Sequence, residues 1–210
     1  MILCLETATT VCSVALCSRQ GVIASKESIE GRSHASLLTV FIDDLLRESG
    51  LRISDLEAVA VSKGPGSYTG LRIGVSVAKG IAYATSLPLI AVDTPEAMFS
   101  GFISAERENF IFTDSDIFCP SMDARRMEIY YSLFGRTGNV RKEICAEVIT
   151  ENSFSEIPED SRMFFFGDGS AKMKDVIRRK NALFSDNFRI SAGFMYQPAY
   201  RHMDEILQLS

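Results

Sequence analysis

The residues best able to do chemistry form one run, Ser62-Lys63-Gly64-Pro65-Gly66-Ser67-Tyr68-Thr69-Gly70-Leu71-Arg72. An apolar stretch precedes it and a helical pattern follows. Its glycines therefore fall at a strand-to-helix turn, where a tightly bent backbone can aim N–H groups at an anion. The chemistry on offer is phosphate binding through Gly64, Gly66, Ser67 and Thr69. The run has neither the Gly-Lys-Ser/Thr ending of a Walker loop nor a G-x-G-x-x-G spacing, so a simple tight turn is the plainer reading. Three further segments could share such a role. Glu6-Thr7-Ala8-Thr9-Thr10 sets an acid and hydroxyls where a metal-bound phosphate could sit. Met122-Asp123-Ala124-Arg125-Arg126 is an acid-bearing hairpin, and Gly167-Asp168-Gly169-Ser170 joins a strand to a helix. Each is also explained as an ordinary turn.

Side-chain supply narrows the options. The two histidines, His34 and His202, exclude a zinc site built on several histidines and leave any His-based triad one of these two. His34, near a helix start, reads as a cap or packing residue, and His202 receives no role. Cys4, Cys12, Cys17, Cys119 and Cys145 are odd in number and form no C-x-x-C. They read as free, buried thiols of a reducing cytoplasm. Lys and Arg number 22 against 27 Asp and Glu, a net charge of −5. A chain that grips nucleic acid unaided carries a basic surface, so unaided tRNA binding is not expected. The most apolar stretch, residues 74–92, is broken by Lys79 and Leu87-Pro88 and is too interrupted to span a bilayer. No targeting segment is read at the N-terminus, and a soluble, cytoplasmic protein without membrane contact is expected.

The elements that must position these segments alternate regularly. Residues 2–5, 12–17 and 22–28 read as a three-strand meander. From Ser33, Leu37, Leu38, Phe41, Ile42, Leu45 and Leu46 recur at helical spacing, and Gly50 gives a C-cap. A strand over 58–62, a helix over 69–85, a strand over 89–92 and a short helix over 95–102 follow. Strand patterns over 117–122, 128–134, 144–149 and 163–166, a helix over 171–179 and a last helix over 192–209 partly repeat the order. The chain reads as a duplicated β-β-β-α-β-α architecture with halves at 1–105 and 106–210. The second is smaller, without a clear final strand, and a polar hinge falls at 109–115.

The second helix is the most informative. Arg72, Ser76, Lys79 and Tyr83 cover one narrow arc, and the rest carries no charge. Gly70, Gly74, Ala78 and Ala82 form a row of small residues that invites close approach by another helix. A helix apolar around most of its circumference is buried in its own domain or by a partner.

Taken together, these segments resemble the TsaB (YeaZ) family, within the glycoprotease-like superfamily. The resemblance rests on Leu5-Glu6-Thr7-Ala8-Thr9 with Cys12-Ser13-Val14-Ala15-Leu16, on Gly64 through Gly74 continuing to Ala78-Lys79-Gly80, and on Met122 through Tyr130. Gly167-Asp168-Gly169-Ser170 adds weaker support. It implies an α/β chain of the actin/Hsp70/sugar-kinase fold. The implied role is a non-catalytic dimerisation subunit that binds and activates the catalytic paralogue TsaD in making threonylcarbamoyladenosine beside the tRNA anticodon. The ATPase TsaE is a further implied partner, with tRNA met only through the complex and a homodimer in isolation. No catalytic residue and no cofactor is expected in this chain; ATP or ADP and metal belong to the partner subunits. The family's helix-bundle interface maps onto His34, Leu38, Phe41 and Leu45 of the first helix and Leu71, Val75, Ala78 and Ala82 of the second.

Two departures bear on catalysis. Where the paralogue keeps two metal-binding histidines, Thr94 and Met98 stand here, poor ligands for iron or zinc. ATP-binding members favour Asp-x-Gly-Thr where this chain has Glu6-Thr7-Ala8-Thr9, and Ala8 hinders close approach to a phosphate. The segments Glu6, Thr7, Gly64, Gly66, Ser67, Thr69, Asp123, Gly167 and Gly169 then read as vestigial nucleotide or anion loops. The alternative is a small-molecule kinase or ATPase of the same fold, with Glu6, Asp123 and the Gly64–Gly70 loop on Mg-ATP. A hydrolase with His34 as base and Ser67 or a cysteine as nucleophile is disfavoured, since no G-x-S-x-G elbow occurs. The family's longer tail is only echoed by Pro198-Ala199-Tyr200-Arg201.

Overall fold

A computed structural model of the chain describes residues 1–29, 34–126 and 128–208. Ser33, expected to open the first helix, and Met127 of the hairpin motif lie outside the described residues, as does the end of the last helix expected to reach 209. The chain forms two compact units, Met1–Ala97 with Ile190–Ser210, and Met98–Arg189.

The first unit is built on a five-stranded sheet. The meander β1 (Ile2–Glu6), β2 (Cys12–Ser18) and β3 (Gly21–Ser28) is antiparallel, and β4 (Ala58–Gly64) and β5 (Leu89–Asp93) join parallel to β1, giving the order β3-β2-β1-β4-β5. Every residue of β1 is buried because both faces are covered. One face carries Leu3, Leu5, Val14, Leu16, Val59 and Val61 against Leu38, Ile42, Leu45 and Leu46 of α1 (His34–Glu48) and Ala78 of α2 (Tyr68–Thr85). The other face receives a 3₁₀ turn at Ala192–Met195 and α5 (Tyr196–Gln208).

The second unit repeats the plan: β6 (Ile117–Asp123), β7 (Glu128–Gly135), β8 (Val140–Val148), β9 (Met163–Phe166) and β10 (Ala182–Ser185), in the order β8-β7-β6-β9-β10. Strand order and direction match the first sheet, which is the duplicated core of the actin-like ATPase fold. Alternation along the strands divides its residues. Cys119, Ile129, Tyr131, Leu133, Met163 and Phe165 face one core, while Phe118, Phe164 and Phe166 meet Phe102 of α3 (Thr94–Glu106) in an aromatic layer, with Phe102 and Phe166 stacked at 4.1 Å.

Several expectations change. The fifth strand of the repeat is present as β10. The helix expected over 171–179 is only α4 (Ser170–Lys174). The segment between β8 and β9 is turns rather than a helix; Arg179 donates to the carbonyls of Phe154, Ile157 and Pro158 at 2.6–3.1 Å and so satisfies backbone that a helix would have satisfied. The unit boundaries fall at 97/98 and 189/190 rather than at 105/106, and residues 109–115 lie within the second unit. The reason is α5: Tyr200 Oη donates to the Cys17 carbonyl at 3.2 Å, Arg19 pairs with Asp204, and both Arg201 and His202 reach Glu96. Pro198 lies in the first turn of α5, where its missing N–H costs no helical bond. All five cysteines are free, and only Cys145 is not fully buried. Among the described residues no helix is long and apolar enough to cross a membrane.

The Glu96 cluster makes α5 docking pH-sensitive. His202 Nε2 lies 3.0 Å from Glu96 Oε1, and this bond holds the imidazole above its ordinary value of 6.5. The folded chain binds that proton more tightly than the unfolded one, so the stabilisation is complete below the ordinary value and is lost as pH rises through the raised one. Thermal melts across that range should show stability falling with pH, and His202→Gln should flatten the fall.

Candidate functional site

The glycine run does form the β4–α2 turn. Ser67 caps α2, its hydroxyl accepting from the Gly70 N–H at 3.3 Å. What fills the turn is the chain itself. The connection between β1 and β2 lies against it: Thr7 and Ala8 are 0% and 2% exposed. The Ser67 N–H donates to the Ala8 carbonyl at 2.6 Å, and Thr7 Oγ1 donates to the Gly70 carbonyl at 2.8 Å. A Cβ on Gly66 would stand 2.4 Å from the Ala8 oxygen, on Gly70 2.1 Å from the Thr7 oxygen, and on Gly74 2.3 Å from Thr7 Oγ1. Gly70 and Gly74 of the small-residue row thus admit the Thr7 turn, while Ala78 packs in the core with α1.

Glu6 is held in the same joint. Its carboxyl is fully buried, accepting from the Ser62 hydroxyl and from the Ala8 N–H at 2.5 Å. Burial pushes its pKa up to about 7, against the opposing pull of these donors. With no exposure, it cannot meet a metal or a nucleotide from where it stands. Thr69 is exposed at the start of α2. His34 rests its Nε2 beside the Val11 carbonyl at 3.1 Å, the contact of a packing residue.

The second unit holds the other loops. Asp123 Oδ1 accepts from the Arg125 N–H at 2.6 Å and from Lys172 Nζ at 2.5 Å, and Asp168 Oδ1 accepts from the Asp123 N–H at 3.1 Å. Burial raises the Asp123 carboxyl, but Lys172 and the Arg125 amide outweigh it and leave it below its ordinary value; burial raises Asp168. Gly167 and Gly169 again admit the chain's own backbone. A Cβ on Gly167 would lie 2.2 Å from both Ser121 O and Met98 Cε, and on Gly169 2.9 Å from the Met122 backbone.

Thr94 is fully buried at the head of α3, its hydroxyl without a hydrogen-bond partner, and Met98 is 1% exposed. A buried hydroxyl and a thioether do not fit a resident iron or zinc, and among the described residues no group of three His, Cys, Asp or Glu could hold a metal.

The eight residues mapped to a partner surface divide. Leu38, Leu45 and Ala78 are 0–2% exposed in the core and offer no area outward, because helical rotation aims them at the sheet. His34, Phe41, Leu71, Val75 and Ala82 are half-buried. Arg72, Ser76, Lys79 and Tyr83 are exposed as the wheel requires. An open groove of about 450 Å³ runs beside Ala35 of α1 and Thr69, Arg72, Ile73, Ser76 and Val77 of α2. Val40, at 50% exposure, and Tyr83, at 92%, are apolar area left outside any core. Helical spacing shows which residues share a face but not which face the sheet takes.

Residues 20–199 match the family model described as TsaD: tRNA N6-adenosine threonylcarbamoyltransferase. The tRNA threonylcarbamoyladenosine biosynthesis protein TsaB of Haemophilus influenzae is 31% identical over 209 residues, covering 94% of this chain and 84% of that protein. Its Escherichia coli namesake is 36% identical over 138 residues, covering 66% of this chain and 56% of that protein. A solved Pseudomonas aeruginosa protein described as similar to peptidase YEAZ superposes with a TM-score of 0.82 at 25% identity, over 97% of this chain and 92% of that one.

Two expectations follow from the filled joint. Gly70→Ala should destabilise the chain by about 3 kcal/mol, since the methyl group overlaps the Thr7 carbonyl, as denaturant unfolding would read. Glu6 is protonated in the folded chain at pH values where the unfolded chain has lost that proton, so stability should fall as pH rises from 4.5 to about 7. Glu6→Gln should remove that fall, on the order of 3 kcal/mol, in melts across the interval.

Proposed function

The chain belongs to the TsaB (YeaZ) family, and on that premise we propose that it is the non-catalytic dimerisation subunit that binds and activates TsaD in threonylcarbamoyladenosine modification of tRNA. In this reading nucleotide and metal sit on partner subunits, TsaE joins the pair, tRNA is met through the complex, the assembly is cytoplasmic, and the chain alone pairs with itself. One observation carries it. The fold keeps its loops, but the first is filled by Thr7 and Ala8, while the α1–α2 face beside it leaves apolar side chains and a groove open. Isologous pairing of such a face would account for a homodimer without TsaD.

The small-molecule kinase reading is not favoured. It needs Glu6 on a metal and an open Gly64–Gly70 loop, whereas Glu6 is buried against Ser62 and Ala8 and the loop is occupied.

The deciding experiment is co-purification with cognate TsaD followed by reconstitution of threonylcarbamoyl transfer. Val40→Asp with Ser76→Arg changes only exposed positions, so melting should barely move while affinity for TsaD falls about tenfold or more. Unimpaired pairing of that variant would remove the α1–α2 face from the interface, and absence of any TsaD association by the unaltered chain would overturn the reading.

A further inference from the structure

The turn between β6 and β7 breaks a local rule. Arg125 and Arg126 have φ of +69° and +51°, a left-handed region that disfavours residues other than glycine or asparagine. The conformation is imposed from outside the two side chains. Asp123 Oδ1 accepts the Arg125 N–H at 2.6 Å, and Lys172 Nζ bridges Asp123 Oδ1 at 2.5 Å and the Arg126 carbonyl at 2.7 Å. The two bonds that reach the arginines use only their backbone N–H and carbonyl, so an Asn-Gly pair would make them without strain. The arginine side chains therefore do not build the turn. Both are exposed, and neither side chain forms a hydrogen bond or salt bridge among the described residues; the charge of Arg125 is felt by Asp123. Apart from the charge of Arg125 beside the Asp123 carboxylate, the two side chains take no part in the turn, and strain kept at both points to a use outside it.

The surroundings indicate what that use is. Of the carboxylates nearby, Asp123 is engaged by Lys172, and Asp168 accepts a backbone N–H and is raised by burial; Glu128 is exposed. Among the described residues of the turn, none is an exposed large hydrophobic. A protein-protein contact is built around an apolar, charge-poor centre, and the described residues of this turn supply none. Two forked cations on a held backbone fit phosphate oxygens, and contacts of this kind position a nucleic acid without a basic chain overall.

We propose that Arg125 and Arg126 form a phosphodiester-binding pair that contacts the backbone of the tRNA carried by the assembled complex. The proposal rests on the reading above for its RNA. The test uses the TsaD complex carrying either the unaltered chain or the Arg125→Asn, Arg126→Gly double variant, titrated with tRNA at several salt concentrations. The expected result is a higher melting temperature for the variant chain, undiminished TsaD association, and roughly tenfold weaker tRNA binding with a salt slope lower by about one to two. The Arg125→Lys, Arg126→Lys variant should keep most of the slope. Unchanged tRNA affinity and slope with TsaD association intact would overturn the proposal, as would a loss confined to TsaD association, which would make the pair a protein contact. Should the unaltered chain fail to join TsaD, the earlier reading falls by itself, and the same titration on the chain alone decides the arginines: an equal slope with and without them overturns the pair.

Discussion

The approach of the Thr7 turn to α2 governs the first unit. Carbonyl, hydroxyl and methyl groups of Thr7 and Ala8 occupy the volume that side chains at 66, 70 and 74 would take, so the connection leaving β1 and the helix leaving β4 share one surface. Closing that surface shuts Glu6 away from water and moves its carboxyl to a neutral-range pKa. It also fixes the rotation of α2. With Gly70, Gly74 and Ala78 turned inward, the opposite arc of Arg72, Ser76, Lys79 and Tyr83 must face outward, and Ile73 and Val77 fall at the margin, beside the groove.

The second unit applies the same device with different parts. Gly167 and Gly169 let the β9–α4 turn cross the end of β6, as Gly66 and Gly70 let the β4–α2 turn meet the end of β1. The sheets are the same in order and direction, but the helical layers are not. Where α1 covers the first sheet, the second relies on Phe154, Met173 and Ile177 from turns and one short helix. The duplication persists in the sheets because strand register is cooperative along the whole sheet, whereas a covering helix can be exchanged for turns if its backbone bonds are met, as Arg179 meets them.

Much of this was legible in the residues, and the failures have physical causes. Periodicity located the meander, both long helices and β9 to within a few residues, because burial on one or both faces dictates residue type directly. It missed β10, four half-buried residues at a sheet edge with no alternation to show. It carried α4 five residues too far, since an apolar spacing is satisfied equally by a helix and by turns packed on the same core. It gave α5 to the wrong half, because the bonds from Tyr200 to Cys17 and from Arg201 and His202 to Glu96 join residues more than a hundred positions apart. In the candidate site the structure brings the glycines against Thr7 and Ala8, an occupant that the sequence did not name. Glycine spacing says that something approaches closely, and an anion and a neighbouring backbone make the same demand.

Hydrogen-bond accounting at Ser67 and Gly70 favours the neighbouring backbone. A phosphate at a helix N-terminus needs donors left over from the first turn. Here the Ser67 N–H is spent on the Ala8 carbonyl and the Gly70 N–H on Ser67 Oγ, while Glu6 takes the Ala8 N–H and the Ser62 hydroxyl. Admitting an anion would mean breaking the Ser67–Ala8 bond, withdrawing Thr7 from Gly70 and Gly74, and bringing Glu6, ionised, toward a like charge. Each step is unfavourable by itself, and because all involve one five-residue connection they must occur together. Ala8 makes the closed state self-consistent: its methyl lies where a residue larger than glycine at 66 would collide, so the loop and the turn fit only as a pair. A glycine-rich turn whose spacing would suit a phosphate works here as an internal joint, and the arc of α2 opposite it is the one that faces outward.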